Sequence, residues 1–260
     1  MNADTPTPYI EIRDVTMAYG SNVIQRALNF TIHQGDIFVI MGGSGCGKST
    51  LLKHMLGLIP PGSGDILYEG TSFFQSSAAE QGAMRQGWGI TYQSGGLFSA
   101  MTLAENITLP LELYTSYTPA EITDIVAYKL ALVGLAGYQS YYPSEISGGM
   151  QKRAALARAI ALDPKILFFD EPSAGLDPIS SRLLDELIVQ IKESMGATVV
   201  MVTHELPSIF AIATNSVYLD NITRTMIAYG NPADLRDHSP QPVVRQFLTR
   251  SAAASIEDQP

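Results

Sequence analysis

Cysteine is nearly absent from this chain of 260 residues. Cys46 stands alone, which excludes an internal disulfide and fits a reducing compartment. Basic residues are also scarce: 16 Lys and Arg against 25 Asp and Glu leave a formal charge of −9. A chain of that sign lacks the broad basic face that nucleic acid requires, so no nucleic-acid partner is expected. No apolar run approaches the roughly 18–20 residues of a membrane-spanning helix. "MNADTPTPYIEI" lacks a basic segment followed by an apolar one, so no signal peptide is expected there. Internal repeats and low-complexity tracts are missing too. What is present is 46% hydrophobic residues, in a chain long enough to bury the core of one large α/β domain.

β-Branched and aromatic residues in partial alternation predict strands near 9–16, 28–32 and 37–41, with Gly20 and Gly35 as breaks. A helix is expected from about 48 to 57, then the turn "PPGSG" and the strand "DILYEG". From about 100 to 163 the texture becomes helical. "TLAENITLPLELY" is expected to break at Pro110, and "TPAEITDIVAYKLALVGL" opens on Thr118 as N-cap with Pro119 behind it. Alternation then returns. "KILFFDEP" and "ATVVMVTH" read as buried strands, "ELPSIFAIAT" as a helix and "SVYLDNITRTMIAYG" as a hairpin. In "ISSRLLDELIVQIKESMG", Ile179, Leu183, Leu184, Leu187, Ile188, Ile191 and Met195 repeat as one helix face. Buried strands alternating with helices imply a mostly parallel sheet, and the helical stretch reads as an inserted lobe.

The chemistry begins at "GGSGCGKST", residues 42–50, which fits G-x-x-x-x-G-K-[ST] and directly follows the apolar strand "IFVIM". Gly42, Gly43, Ser44, Gly45, Cys46 and Gly47 form a loop whose backbone N–H groups can turn inward around phosphates. Lys48 would reach the β- and γ-phosphates and Ser49, beside Thr50, would ligate Mg²⁺. "ILFFDEP" ends in two carboxylates. Asp170 would hold Mg²⁺, and strand alternation would turn Glu171 to the opposite face, beside the γ-phosphate, to take a proton from water. Gln93 and His204 each follow a predicted buried strand, where ligands of open α/β sheets sit. An amide there can bridge Mg²⁺ and the attacking water, and an imidazole can contact phosphate.

A second anion site is written at "EISGGMQKRAALARA". Ser147 is a good N-cap, and Gly148 and Gly149 leave bare N–H groups at the positive end of a helix, at a cost of roughly 1 kcal/mol each against alanine.

In this order the residues resemble the ATP-binding subunits of ABC transporters, from Tyr19 to about Gly230, with "SGGMQ" differing from the usual signature in Met150. The resemblance implies an α/β fold: a P-loop ATPase core with a mostly parallel sheet, an N-terminal antiparallel β subdomain and an inserted α-helical subdomain. Residues 1–240 would form the ATPase domain, with the helical subdomain at about 94–163, and 241–260 a short amphipathic helix and disordered tail. It further implies ATP and Mg²⁺ as cofactors, Tyr19 stacking on adenine and Asp177 of "SAGLD" at the nucleotide. Two copies would pair head to tail, so that Ser147, Gly148 and Gly149 of one meet the γ-phosphate held by the other.

"YQSGGLFSAMTLAENITLPLE", "FFDEPSAGLDPISS" and "VTHELPSIFAIA" resemble the Mce/Mla-type lipid-transport ATPases. That likeness implies a membrane permease, an Mce-domain lipid-binding protein, a STAS-domain regulator in some members, and a place on the cytoplasmic face of the bacterial inner membrane. A soluble ABC-type ATPase, as in cluster assembly, and an importer ATPase for another substrate are the alternatives. The apolar "GGLFSAMT" favours a permease groove over ordinary lobe packing. Cys46, at a helix N-terminus, is expected to have a lowered thiol pKa or to be an inert small residue. Val243, Val244, Phe247 and Leu248 form an apolar stripe on a short helix that docks either on its own cassette or on a partner copy.

Overall fold

Two kinds of strand in the sequence build two different sheets. The computed structural model describes residues 7–250. The long strands β1 (Pro8–Tyr19) and β2 (Asn22–His33) turn at Gly20 and pair antiparallel. The wholly buried β3 (Ile37–Gly42) leads into helix α1 (Lys48–Met55). Strands β4 (Ser63–Tyr68) and β5 (Thr71–Ser72) complete a four-stranded antiparallel sheet ordered β2-β1-β4-β5. Helix α2 (Ala78–Gln86) and strand β6 (Trp88–Thr91) follow, then the helices α3 (Leu103–Tyr114), α4 (Pro119–Leu132) and α5 (Gly148–Ala159). Strand β7 (Ile166–Asp170), helix α6 (Pro178–Met195), strand β8 (Thr198–Val202) and helix α7 (Leu206–Ile212) restore alternation. Strands β9 (Asn215–Asp220) and β10 (Thr225–Gly230), then helices α8 (Pro232–His238) and α9 (Pro242–Thr249), close the described chain. The second sheet is ordered β10-β9-β3-β8-β7-β6 and is parallel except for the β9–β10 hairpin.

Alternation along the parallel strands divides the core. Phe38, Ile40, Phe168, Val200 and Val202 face α1, through Leu51, Leu52 and Met55, and the inner side of the antiparallel sheet, through Ile10, Ile12 and Leu28. Val39, Met41, Leu167, Phe169, Val199 and Met201 face the other way, onto helices α3 to α7. Covered on both faces, these strands need no polar side, which is why they read as continuous apolar runs.

Several sequence expectations change. The helix through Pro110 does not break there: α3 is continuous, because its start is fixed by a Thr102–Glu105 capping box and buried Leu103, Ile107 and Leu111 hold it on the core. Helix α2 is not among the expected elements, although Ser77 and Glu80 write the same box at its start. On α6 Leu184, Ile188 and Ile191 are buried and Leu187 and Met195 pack partly buried against the same core, whereas Ile179 (73% exposed) and Leu183 (58%) point out. Leu183 instead lines a shallow recess with Ser147, Gly149 and Met150.

The C-terminal helix docks on its own chain. Val244 and Leu248 of α9 are buried in the core, and Phe247 meets the Tyr218 ring edge-on at 5.3 Å, while Val243 stays outside. Docking on a partner copy therefore does not account for this stripe. The expected disordered tail, 251–260, lies outside the described residues. Leu248→Ala is expected to lower unfolding free energy by about 2–4 kcal/mol, measured by urea denaturation. An unchanged midpoint would contradict docking in cis.

Candidate nucleotide site

The loop after β3 is shaped by close contacts. Gly42 has φ of 146°, and a Cβ there would lie 2.3 Å from the Leu219 carbonyl oxygen of β9. Gly47, the N-cap of α1, has φ of 98°, and a Cβ there would lie 2.6 Å from Ile24 of β2. Both are positions that glycine alone fills without displacement. Between them Ser44 and Gly45 are exposed and Gly43 half-buried. Lys48 folds back over the loop, its Nζ donating to the Gly42 and Gly43 carbonyls at 3.0 Å each. Thr50 follows in the first turn of α1.

Parallel registry brings Asp170, at the end of β7, beside Val202 at the end of β8. The Ser49 hydroxyl donates to Asp170 Oδ1 at 3.0 Å, joining α1 to β7 across 121 residues of chain. Both are hard oxygen donors of the kind Mg²⁺ prefers. Among the described residues no cluster of three His, Cys, Asp or Glu side chains could hold a metal. A cation here would therefore share protein and phosphate oxygens.

Glu171 does not reach its position by strand alternation. The strand ends at Asp170, and Glu171 takes φ of 50°, with its N–H donating to the Val202 carbonyl at 2.8 Å. That left-handed turn, uncommon away from glycine, rather than the pleat, aims the carboxylate. Its Oε1 accepts from His204 Nδ1 at 2.8 Å, while its Oε2 is buried without a protein donor. His204 is largely exposed.

Gln93 is exposed just beyond β6, and its carbonyl accepts from Lys152 of α5. Burial pushes the Lys152 ammonium below its ordinary pKa, opposed by the nearby Glu171 carboxylate. Lys152 is not among the residues the sequence singles out; its place beside the glycine-led helix start is the available signal. The loop after Gln93 is held by two further side chains. Arg158 Nη1 donates to the Gly96 carbonyl at 2.7 Å, and buried Asn106 donates to the Phe98, Met101 and Thr102 carbonyls while accepting from Phe98 N–H.

Two further predicted residues sit on other elements. Tyr19 stands exposed at the end of β1. Asp177 caps α6, accepting from Ile179 N–H at 3.0 Å and Ser180 N–H at 3.1 Å; the Ser180 hydroxyl first, then these N–H groups, hold its carboxyl below the usual range. The second glycine site opens outward. Ser147 caps α5 by accepting from Met150 N–H at 3.3 Å, a Cβ on Gly148 would meet nothing within 4 Å, and one on Gly149 would touch Leu176 and Ser180 at ordinary distance.

A separate groove of about 600 Å³ runs between α2, β6 and α3, lined by Arg85, Tyr92, Phe98, Leu109 and Leu113 among others. Phe98 and Leu113 are 51% and 63% exposed, more apolar surface than a loop and a helix need show.

Residues 25–174 match the family model described as ABC transporter. The chain is 41% identical over 239 residues to the probable ribonucleotide transport ATP-binding protein mkl of Mycobacterium tuberculosis, covering 92% of this chain and 66% of that protein. It therefore spans less than two thirds of that relative's length. It is 38% identical over 239 residues to the intermembrane phospholipid transport system ATP-binding protein MlaF of Escherichia coli, covering 92% and 88%. Among solved structures, cbiO1 from Clostridium perfringens, part of an ABC transporter complex, superposes with a TM-score of 0.81 at 26% identity, over 94% of this chain and 96% of that one. A dimeric ATP-binding cassette in a post-hydrolysis state bound to ADP and Pi superposes with a TM-score of 0.76 at 27% identity, over 85% and 98%.

Cys46 departs from the reactive thiol considered above. It is 1% exposed, and burial raises its thiol pKa above the ordinary value, outweighing Lys48 and the helix-end N–H groups. Its Sγ packs 2.7 Å from where a Gly42 Cβ would lie, so it fills the underside of the loop and leaves only backbone for a ligand. Native protein is expected to resist maleimide and to be labelled once denatured, as mass spectrometry would show. Rapid stoichiometric labelling of the folded chain would overturn this.

Proposed function

The chain belongs to the ABC transporter family, and from that premise we propose that it is the ATP-hydrolysing subunit of a bacterial lipid transporter. The observation that carries the hydrolytic part is Glu171 Oε2, a buried carboxylate oxygen with no protein donor, on the residue that follows Asp170 of the Ser49–Asp170 bond. In this reading Oε2 takes the proton of the attacking water as the new oxygen–phosphorus bond forms and the bond to the ADP oxygen breaks. The His204 imidazole fixes Oε1 and so orients the free oxygen. Mg²⁺ would be held by Ser49 and Asp170, with the Gln93 amide, and would supply positive charge to the β- and γ-phosphate oxygens. Gly42 to Thr50 bind the phosphates through backbone N–H groups and Lys48, and Tyr19 offers its exposed ring to adenine.

The outward-facing Ser147–Gly149 helix end supports a two-copy arrangement. No P-loop atom is among those a Cβ on Gly148 or Gly149 would meet within 4 Å, which supports a phosphate presented by a second copy, beside exposed Leu183 of α6. Asp177, at the start of that helix face, would stand at the same junction.

No described helix is long and apolar enough to cross a membrane, and in this reading another subunit attaches the chain to one. The Phe98–Leu113 groove suits an apolar helix of a permease, and would place the chain peripherally at the inner face of the membrane. The MlaF likeness, which extends over 88% of that protein, supports phospholipid as cargo. An Mce-domain protein and a STAS-domain regulator as further partners rest on the resemblance of residues 92–112, 168–181 and 202–213 to the Mce/Mla-type ATPases.

Glu171→Gln is expected to keep ATP affinity while lowering turnover by about 10²–10⁴-fold, and to accumulate as an ATP-bound dimer on size exclusion. Wild-type turnover in this variant would remove Glu171 from its role. Leu113→Asp is expected to leave ATPase activity of the isolated chain unchanged. It should abolish recovery of a detergent-extracted permease complex and of the phospholipid extracted with it. Full recovery would place the permease elsewhere.

A further inference from the structure

Gln25 is fully buried on β2, at the inward position that Leu28, Phe30 and Ile32 fill elsewhere along the strand. A glutamine there is costly: its Oε1 is buried with no hydrogen-bond partner, a loss that a leucine of similar size would avoid. Its Nε2 makes two bonds. It donates to the Cys46 carbonyl at 2.8 Å, inside the phosphate loop, and to the Asp220 carbonyl at 2.9 Å, at the end of β9.

These bonds span the seam between the two sheets. Gln25 is paired across the hairpin with Met17, two residues before Tyr19. Met17 and Ile24 are the side chains that a Cβ on Gly47 would strike. The same strand is tied to the β9–β10 turn by Arg26 N–H donating to the Arg224 carbonyl at 2.9 Å and by Arg224 Nη1 donating to the Val23 carbonyl at 2.8 Å. The hairpin that carries Tyr19 is thus bolted to the loop that would carry phosphate, and Gln25 is the side chain of β2 that hydrogen-bonds to the loop itself.

We propose that Gln25 is a positioning residue that sets the spacing between the Tyr19 ring and the phosphate loop, so that one ATP can engage both. It touches no part of the nucleotide and acts through the Cys46 and Asp220 carbonyls. The inference rests on the reading of Tyr19 as the adenine-stacking residue.

The test uses the full chain and calorimetric binding of two probes, ATP and inorganic triphosphate, which lacks a base. Gln25→Leu is expected to weaken ATP about tenfold and triphosphate by less than about twofold. Tyr19→Ala should weaken ATP alone, and should cost clearly less in the Gln25→Leu background than in the wild type, because a displaced ring has less to lose. Equal weakening of both probes by Gln25→Leu would make the amide a mere support of the loop and overturn the proposal. So would unchanged ATP binding in Gln25→Leu where Tyr19→Ala weakens it. A Tyr19→Ala chain that binds ATP like the wild type would overturn the adenine-platform reading, and this inference with it. Should Gln25→Leu fail to fold, Gln25→Met, which keeps the length of the side chain and lacks the donors, answers the same comparison.

Discussion

The parallel register of β6, β7, β8 and β3 is the constraint on which the site depends. Thr91 pairs with Phe169, Asp170 with Val202, and Ile40 with Val202, so the carboxyl ends of β6, β7 and β8 finish close to one level and β3 runs two residues further to Gly42. Gln93, Asp170, Glu171, His204 and the phosphate loop each leave the sheet within a few residues of that level. A shift of two residues in any one strand would keep its apolar faces buried and yet move its functional side chain by about 7 Å. The Ser49–Asp170 bond, the Glu171 N–H to Val202 bond and the His204–Glu171 pair then lock neighbouring ends to one another.

The loop between β6 and α3 is a second consequence of packing. It carries Gln93 at one end and borders the apolar groove through Tyr92 and Phe98 along its length. It is not held by regular secondary structure. Lys152 and Arg158 grip it from α5 and Asn106 from α3. A body seated in the groove would press on the same short segment that presents the Gln93 amide, so the proposed permease contact and the proposed water-positioning residue are two ends of one anchored strap. Asn106 is buried in an otherwise apolar helix face because it satisfies backbone groups that the loop leaves open.

The motifs were legible because each is local. The phosphate loop, the Ser147 cap, the Thr118 cap, and the buried strands "IFVIM", "ILFFD" and "TVVMV" need only neighbouring residues to state their chemistry. The misreadings have a common source in tertiary context. Pro110 breaks helices in isolation, but burial of Leu103, Ile107 and Leu111 along one face of the helix outweighs one missing hydrogen bond. A cysteine at a helix N-terminus would be acidified in water; here desolvation wins.

By itself the sequence determined the alternating α/β pattern, the phosphate loop, the paired carboxylates and the glycine-led helix, since those follow from residue type and spacing along a few turns or a single strand. Tertiary structure alone decided the rest. It turned Glu171 through a left-handed residue so that one carboxylate oxygen is held by His204 and the other is left free. It laid α9 on its own core, sealed Cys46, and placed Gln25 between a carbonyl of the phosphate loop and one of β9. Each of these depends on which distant backbone or side chain arrives alongside, and such meetings between residues far apart in the chain leave no periodic trace in the order of its residues.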